Sequence, residues 1–436
     1  MYSALSKELT AKIAKEEKQA QGIYFTPPAC VAKNLALLAP YMGGVKTVLE
    51  PACGSGEYLT ALQAAYPALH LTGIEYNATI YEAIAPLAND HLALLQTDYL
   101  TYTPTTNFDL ILGNPPYYVL KKTAVPKVYW PYFDGRPNIF LLFLIKSFEL
   151  LREGGLLSFV LPKNFLNCLY YDKTRAYLNL HGRILHIADG GTDKYLETQQ
   201  ETIIFIVQKQ AQAQQTQAQQ PAQQAQAQQQ AQAQAQAKQQ APGKIKIKKK
   251  LLRPIAQSNS AFVLQRNTYT IFATPENIQT FQGLYKNTKT LNELGFKVSV
   301  GTVVWNQCKE LLTTDPQQTR LIYSSDIAQN TLSPKTYTNP AKKNFIHQAG
   351  WTRPVLVVNR GYGVGDYKLN CCLLAGTEPY LLENHLIYIE GPGAYEKIMA
   401  SLLDPRTTAF IKAYFGNNAV NTTELGAVLP IYQDIY

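Results

Sequence analysis

The chain has 436 residues, 46% of them hydrophobic, so most of it is expected to fold into two or three domains. No apolar run reaches the ~18 uncharged residues of a membrane span, and the charged N-terminus lacks the apolar core of a signal peptide. The net charge is +9, but seven basic residues fall within 238–253. That segment is either a solvated tether or a polyanion-binding patch.

Six cysteines are present, none of them in a Cys-x-x-Cys pair and none beside a histidine cluster. A zinc site and a disulfide framework are therefore not expected. We predict reduced, mostly buried thiols in a cytoplasmic protein.

Strand and helix patterns alternate through the first large segment, 22–209, after an N-terminal helical extension at 1–21. The predicted strands are 46–50, 69–75, 92–96, 108–113, 156–161, 184–188 and 202–207. The predicted helices are 29–39, 57–65, 79–87, 138–151 and 172–180. This alternation predicts an α/β fold with a Rossmann-like, doubly wound, mainly parallel sheet of seven strands. Ligands of such sheets bind at the carboxyl ends of the strands.

The remainder of the chain differs in composition. Residues 210–243 are almost entirely Gln and Ala, which predicts a low-complexity insert that tolerates changes in length. Residues 244–436 contain short strands, many aromatics and many turns, which predict a second, α+β domain with its own core.

The first strand leads into VLEPACGSGEYL at 48–59, and a helix follows. Gly54 and Gly56 would let a ligand approach the backbone closely. Glu75 stands 19 residues beyond Gly56, at the next strand end, where an acid can hold ribose hydroxyls. Any strand–helix turn could look the same, so the other strand ends are needed to decide.

Two further acids also stand at the ends of predicted strands. Glu50 would repel a pyrophosphate but suits a cation, which favours S-adenosylmethionine over NAD. Asp98 follows the third strand, where a carboxylate can accept the amino group of an adenine ring. Three acids at successive strand ends favour a ligand site over an isolated loop acid.

The fourth strand ends in GNPPYY at 113–118. An exocyclic amine such as adenine N6 is a poor nucleophile, because its lone pair is delocalised into the ring. The Asn114 side-chain oxygen and the Pro115 carbonyl can accept its two protons, and the rigid Pro115–Pro116 pair fixes that geometry. Tyr117 offers a ring to stack on the base. A proline-rich surface turn is the alternative.

These motifs resemble the Taq-type, gamma-class N6-adenine DNA methyltransferases of type II restriction-modification systems. The segments that carry the resemblance are GIYFTPPACVAKNLA, VLEPACGSGEYL, FDLILGNPPYY and NIFLLFLIKSFELLREGGLLSFVLP, all within 22–209. The resemblance implies that Tyr195 sandwiches an extruded adenine opposite Tyr117. The predicted S-adenosylmethionine contacts are Tyr24, Thr26, Pro27, Glu50, Pro51, Ala52, Gly54, Gly56, Glu75, Asp98, Tyr99, Asn114 and Phe143.

The C-terminal part resembles the target-recognition domain of that family only in layout. Trp305, Asn306 and Arg360 are the candidate DNA contacts, the last of them in a basic and aromatic cluster with Trp351, Arg353 and Tyr362. An ordinary turn beside a core tryptophan would give the same pattern.

The resemblance implies a site-specific DNA adenine methyltransferase that acts on a flipped base in duplex DNA. A separate cognate restriction endonuclease would be a further partner, whereas no membrane and no metal are expected. Two alternatives remain open. One is an RNA adenine or protein glutamine methyltransferase with the same NPPY chemistry, and the other is a nucleic-acid-binding protein without catalysis.

Overall fold

The computed structural model describes residues 2–190, 201–210, 256–361, 368–414 and 419–436. The chain forms two compact units, Met1–Ile278 and Gln279–Tyr436. None of the helices in the described part of the chain has the length and apolar character of a membrane span.

The first unit is organised around one seven-stranded sheet. Its strands are β1 Thr47–Glu50, β2 His70–Glu75, β3 Leu92–Gln96, β4 Phe108–Gly113, β5 Leu151–Pro162, β6 Gly182–Asp189 and β7 Thr202–Lys209. The strand order is β3-β2-β1-β4-β5-β7-β6, and β7 is antiparallel to both of its neighbours. This arrangement confirms the predicted doubly wound methyltransferase sheet, although β5 begins at Leu151 rather than at 156.

Helices cover both faces of this sheet. They are α1 Ala4–Lys12, α2 Lys15–Gln21, α3 Pro28–Leu38, α4 Glu57–Ala65, α5 Ala78–Ile84, α6 Ile139–Leu150 and α7 Asp172–His181. Side chains alternate along a strand, so Leu110 and Leu112 of β4 join the core beneath α3 and α4. Ile111 joins the core on the opposite face, with α6. Burial on both faces explains why residues 110–112 of this strand are all apolar.

The first unit also includes chain that follows the Gln/Ala-rich segment. The hairpin of β8 Val263–Arg266 and β9 Tyr269–Phe272 packs here. The side chain of Arg175 in α7 is fully buried and donates from Nε to Thr270 O at 2.6 Å. Asn259 Oδ1 accepts from Ile184 N at 2.8 Å. The first unit therefore runs to Ile278, whereas the sequence placed the start of the second domain at 244.

The described part of the second unit contains two four-stranded sheets and two short strand pairs. The strands are β10 Thr288–Lys289, β11 Lys297–Val300, β12 Leu312–Thr313, β13 Thr319–Ile322, β14 Ile327–Ala328, β15 Thr331–Leu332, β16 Phe345–Ile346, β17 Val355–Asn359, β18 Cys371–Leu374, β19 Tyr380–Leu382, β20 Leu386–Glu390 and β21 Ile431–Tyr432. The orders of the two larger sheets are β11-β20-β17-β18 and β12-β16-β13-β19.

Helix α8, Pro275–Leu284, spans the boundary between the units, and α9 Tyr395–Leu403, α10 Pro405–Tyr414 and α11 Thr422–Ala427 follow within the second unit. Buried side chains such as Val357, Leu382 and Leu386 form an apolar cluster inside this unit. The second unit therefore has a core of its own and the predicted α+β composition.

Candidate active site

A cleft of about 460 Å³ opens at the carboxyl ends of the parallel strands in the first unit. The structure brings many of the predicted cofactor contacts together on its walls: Tyr24, Pro51, Ala52, Gly54, Glu75, Asp98, Tyr99, Asn114 and Phe143. Thr26, Pro27, Glu50 and Gly56 do not line it. Sequence positions that are far apart meet here because parallel strands end at one edge of a sheet.

The loop after β1 turns through two left-handed glycines, with φ of 50° at Gly54 and 76° at Gly56. Glu75 at the end of β2 holds this loop, since its Oε2 accepts from Gly54 N at 2.9 Å. Its Oε1 accepts from Asn77 N at 2.8 Å. Burial raises the pKa of Glu75 against the opposing effect of these bonds. Glu75 therefore shapes the loop and also lines the cleft.

Glu50 ends β1 and is only 2% exposed. Its Oε2 is buried, and no group in the described part of the chain forms a hydrogen bond with it. Burial raises the pKa of Glu50 well above its ordinary value, and the nearby Glu75 and Glu57 add to the shift. A buried acid in this state lacks a compensating cation, which is the group that an ammonium or sulfonium would supply.

An aromatic wall closes the other side of the cleft. The rings of Tyr99 and Phe143 lie 4.8 Å apart between centroids, and the Tyr99 hydroxyl lies 2.8 Å from Ser147 Oγ. Burial raises the pKa of Tyr99, so this hydroxyl stays neutral. Asp98 beside it is exposed, and its Oδ1 accepts from Leu100 N at 2.8 Å. This pairing of an apolar wall with a carboxylate suits a planar, amino-bearing ring.

The catalytic loop candidate follows β4. Asn114 Nδ2 donates to Tyr24 O at 3.1 Å, which fixes the orientation of the amide. The Tyr117 hydroxyl donates to Asn114 Oδ1 at 2.5 Å and lies 2.7 Å from Val160 O. Tyr117 therefore points inward here and does not line the cleft, whereas its neighbour Tyr118 does.

The two prolines of this loop differ in exposure. Pro115 is buried, and Pro116 lines the cleft. The loop also packs against Gly22, where an added Cβ would lie 2.8 Å from Tyr117 N. Tyr195, the predicted second stacking residue, lies outside the described residues.

The N-terminal helices reach the same loops through contacts that no sequence pattern indicated. Glu57 Oε1 accepts from Ser3 Oγ at 2.6 Å and from Ser6 Oγ at 2.5 Å. Ser6 Oγ also lies 2.8 Å from Ser55 Oγ. Helix α1 is thereby tied to the turn that opens the cleft.

Sequence comparison finds relatives of this chain among restriction-modification methylases. Residues 70–195 match the model of the family described as Eco57I restriction-modification methylase. A type II methyltransferase, M.CvrRI of Paramecium bursaria Chlorella virus XZ-6E, is 24% identical over 425 residues, which cover 94% of each chain.

Two other relatives match only part of the chain. The type II methyltransferase M.TthHB8I of Thermus thermophilus is 34% identical over 171 residues, 36% of this chain and 38% of its own. A tRNA1(Val) (adenine(37)-N6)-methyltransferase of Vibrio cholerae is 30% identical over 126 residues, 27% of this chain and 51% of its own.

Residues 70–195 thus form a domain of the restriction-modification methylase type, and we call the first unit, which contains them, the methylase domain. A methylase needs a methyl donor, and the cleft of this domain fits S-adenosylmethionine. Glu50 does not line the cleft itself, but its buried Oε2 stands next to the cleft-lining Pro51 and suits the positive charge of the donor. The wall of Tyr99 and Phe143 suits the adenine ring of the donor. S-adenosylmethionine is therefore the cofactor of the methylase domain.

The cleft of the methylase domain also contains residues that sequence reasoning did not single out. They include Ile23, Phe25, Tyr76, Ile80, Tyr118 and Leu142. Tyr76 is 67% exposed, and its position directly after Glu75 was the signal that could have identified it. The others are apolar or aromatic residues within helices or loops, which carry no such signal.

The candidate DNA contacts outside the methylase domain lie in the second unit. Trp305 is half-buried in a 3-10 turn and packs on an apolar cluster, whereas Asn306 beside it is exposed. Arg360 follows β17, and its buried Nε has no hydrogen-bond partner among the described residues.

The basic and aromatic cluster around Arg360 is only partly within the described residues. Arg353 stacks on Trp351 with 4.8 Å between its guanidinium carbon and the ring centroid, and it pairs with Glu390 at 3.3 Å. Tyr362 lies outside the described residues. Arg353 is thus already engaged within its own unit.

Within the part of the chain that the structure describes, no group of three or more His, Cys, Asp or Glu side chains could hold a metal ion. The six cysteines are unpaired thiols.

Proposed function

We propose that this protein is a site-specific DNA adenine methyltransferase, the modification enzyme of a restriction-modification system. It would transfer the methyl group of S-adenosylmethionine to N6 of an adenine that has left the DNA stack. The observation that carries the proposal is the position of Asn114, whose amide is fixed by Tyr24 O at the wall of the donor cleft.

The chemistry that we assign to Asn114 follows from the electronics of the acceptor. Hydrogen bonds from the amine to Asn114 Oδ1 and to the Pro115 carbonyl localise the nitrogen lone pair and aim it at the methyl carbon. The proton leaves after the transfer, so neither a general base nor a metal ion is required. The rate enhancement would come from positioning and from acceptors fixed in advance.

The adenine must leave the duplex to reach this site, at a cost of a few kcal/mol for unstacking. Stacking on an aromatic ring offsets about 1–3 kcal/mol of that cost. Tyr117 and Tyr195 are the residues to which we assign the stacking, and we assign contacts with the surrounding duplex to the second unit.

An RNA substrate is the second candidate, because 27% of the chain also matches a tRNA adenine-N6 methyltransferase. A protein glutamine amide could be activated by the same pair of acceptors. DNA remains our proposal because the match to the type II methyltransferase M.CvrRI covers 94% of this chain, the second unit included.

The test uses purified protein, radiolabelled S-adenosylmethionine and four acceptors: unmethylated genomic DNA, total RNA, ribosomes and release-factor protein. Nuclease digestion of the product then identifies the methylated base. Label in DNA as N6-methyladenine supports the proposal. Label in DNA as N4-methylcytosine would change the proposed target base from adenine to cytosine. Label only in RNA or protein would overturn the assignment of the substrate.

A further inference from the structure

One wall of the donor cleft is formed by residues 119–130, which we call the rim segment. Leu120, Ala124 and Pro126 line the cleft. The rim segment follows the NPPYY loop directly in the chain, so its exposed side chains lie next to the catalytic loop.

The rim segment carries only positive charge. Lys121, Lys122 and Lys127 are all exposed, and the sequence contains no acid between 119 and 133. The next acid, Asp134, is paired with Lys173 Nζ at 2.6 Å. Three lysines that form no ion pair with the described residues, beside a catalytic cleft, form an electrostatic footprint for a polyanion.

The rim segment also exposes large apolar side chains. Val119, Val128 and Trp130 are 59%, 66% and 36% exposed, which makes them three of the eight large hydrophobics exposed among the described residues. Lys122 Nζ lies 4.8 Å from the centroid of the Trp130 ring. Basic and aromatic side chains presented together suit a strand of nucleic acid, which offers phosphates and flat bases.

The outer surface of the rim segment is held in place by the protein itself. Leu120 N donates to Pro137 O at 2.8 Å, and Trp130 Nε1 donates to Val125 O at 3.1 Å. Val125 and Tyr129 are buried, at 4% and 8% exposure. The lysines and the indole are thus presented by an anchored segment.

We propose that the rim segment is the surface on which the methylase domain holds the DNA strand that carries the target adenine. The three lysines contact phosphates, while Trp130 and Val128 contact the bases next to the extruded adenine. This inference rests on the proposed function, because it deepens the account of the same site.

The first test compares the wild type with the triple variant K121A/K122A/K127A. Binding of a short fluorescent DNA duplex is measured over a range of salt concentrations. Each phosphate contact contributes about −0.9 to the slope of log K against log salt, so the triple variant is expected to flatten the slope by about 2 to 3. Its affinity at moderate salt is expected to fall about 10- to 100-fold, with affinity for S-adenosylmethionine unchanged.

A matched control removes the same charge elsewhere. Lys7, Lys12 and Lys15 are exposed lysines on or near the first two helices that do not line the cleft, and K7A/K12A/K15A is expected to keep the wild-type slope. Equal slopes for wild type and rim variant would overturn the inference. An equal loss of DNA affinity in both triple variants would show an effect of net charge alone, which would also overturn the inference.

The second test isolates the indole. W130A is expected to slow methylation of paired DNA about tenfold, and to slow it less when the target adenine faces a mismatch that lowers the cost of extrusion. W130F should retain most activity. An equal defect on both substrates would remove Trp130 from the extrusion step.

Different results would refute the proposed function and the proposed role of the rim segment. A wild-type protein that methylates RNA but no DNA would refute the proposed function. A wild-type protein that methylates DNA, together with a rim variant that binds and methylates normally, would refute the rim alone.

Discussion

The Tyr117 hydroxyl lies 2.5 Å from Asn114 Oδ1, so the acceptor that we assign to adenine N6 already receives a hydrogen bond from its own loop. The same hydroxyl lies 2.7 Å from the carbonyl of Val160. To stack on a base, the Tyr117 ring would have to turn away from these partners, and the turn would free the acceptor.

Substitutions at Tyr117 separate its hydroxyl from its ring. Tyr117→Phe removes one hydrogen bond and keeps the stacking surface, so kcat should stay within about fivefold of the wild type. Tyr117→Ala removes the stacking and should lower kcat/KM about 10- to 100-fold. Steady-state methylation kinetics measure both values. If Tyr117→Phe were as defective as Tyr117→Ala, the hydroxyl would have a role of its own.

Asn114→Ala is expected to lower turnover by at least about 100-fold, because a positioned acceptor is lost from the transition state. Binding of S-adenosylmethionine, measured by calorimetry, should change little. Asn89→Ala is the matched control, since Asn89 is an exposed asparagine in a turn away from the cleft. Turnover at the wild-type rate in Asn114→Ala would refute the assigned mechanism.

The raised pKa of Glu50 predicts a dependence of stability on pH. The folded protein holds this proton more tightly than the unfolded chain does. Its contribution to stability is therefore present at low pH, and it is lost as the pH rises from the ordinary glutamate range through the raised pKa. Glu50→Gln cannot ionise, so thermal unfolding across that window should depend less on pH in the variant.

Glu50→Gln should also weaken the binding of S-adenosylmethionine. The cationic donor favours ionised Glu50, so wild-type affinity for S-adenosylmethionine should rise with pH over this window. Charge-assisted hydrogen bonds contribute about 1.5–3 kcal/mol, so Glu50→Gln should bind about 10- to 100-fold more weakly. Calorimetry at several pH values tests this, and unchanged affinity would place Glu50 outside the cofactor site.

Replacement of residues 213–243 by a short Gly/Ser linker should leave stability and methylation close to wild type. The chain on either side of the insert meets in the first unit, where Gln210 Nε2 lies 3.3 Å from Ser258 Oγ. Closing a shorter loop between adjacent ends costs little free energy. A clear drop in melting temperature or activity would show that the Gln/Ala segment has a role in the folded protein.

Arg175→Ala should lower the free energy of unfolding by about 3–5 kcal/mol, because it removes a buried charge and leaves its acceptors unpaired. Arg175 donates to Thr270 O at 2.6 Å, Phe165 O at 2.9 Å and Cys168 O at 2.8 Å. Arg183→Ala, at an exposed position of β6, is the control and should change stability little. Urea unfolding measures both, and a small effect at Arg175 would contradict the structural role of the β8–β9 hairpin.

The sequence was sufficient to predict the seven strands because most of them contain a run of apolar residues between turns, although the start of β5 was placed at 156 instead of Leu151. Strands buried on both faces, such as β4, lack charged interruptions along most of their length, so their ends are visible in the sequence. The positions of Glu75, Asp98 and Asn114 at one edge then follow from parallel pairing alone, and all three line the cleft.

Only the tertiary structure revealed the contacts between residues that are far apart in the sequence. The inward turn of Tyr117 is set by the carbonyl of Val160, 43 residues away. The hairpin after the insert joins the first unit through a buried arginine 95 residues before Thr270. The N-terminal helix α1 is tied to the start of α4 by a hydrogen bond from Ser3 to Glu57, 54 residues apart. Such contacts have no local sequence signature, because each depends on where the sheet and its helices bring remote backbone together.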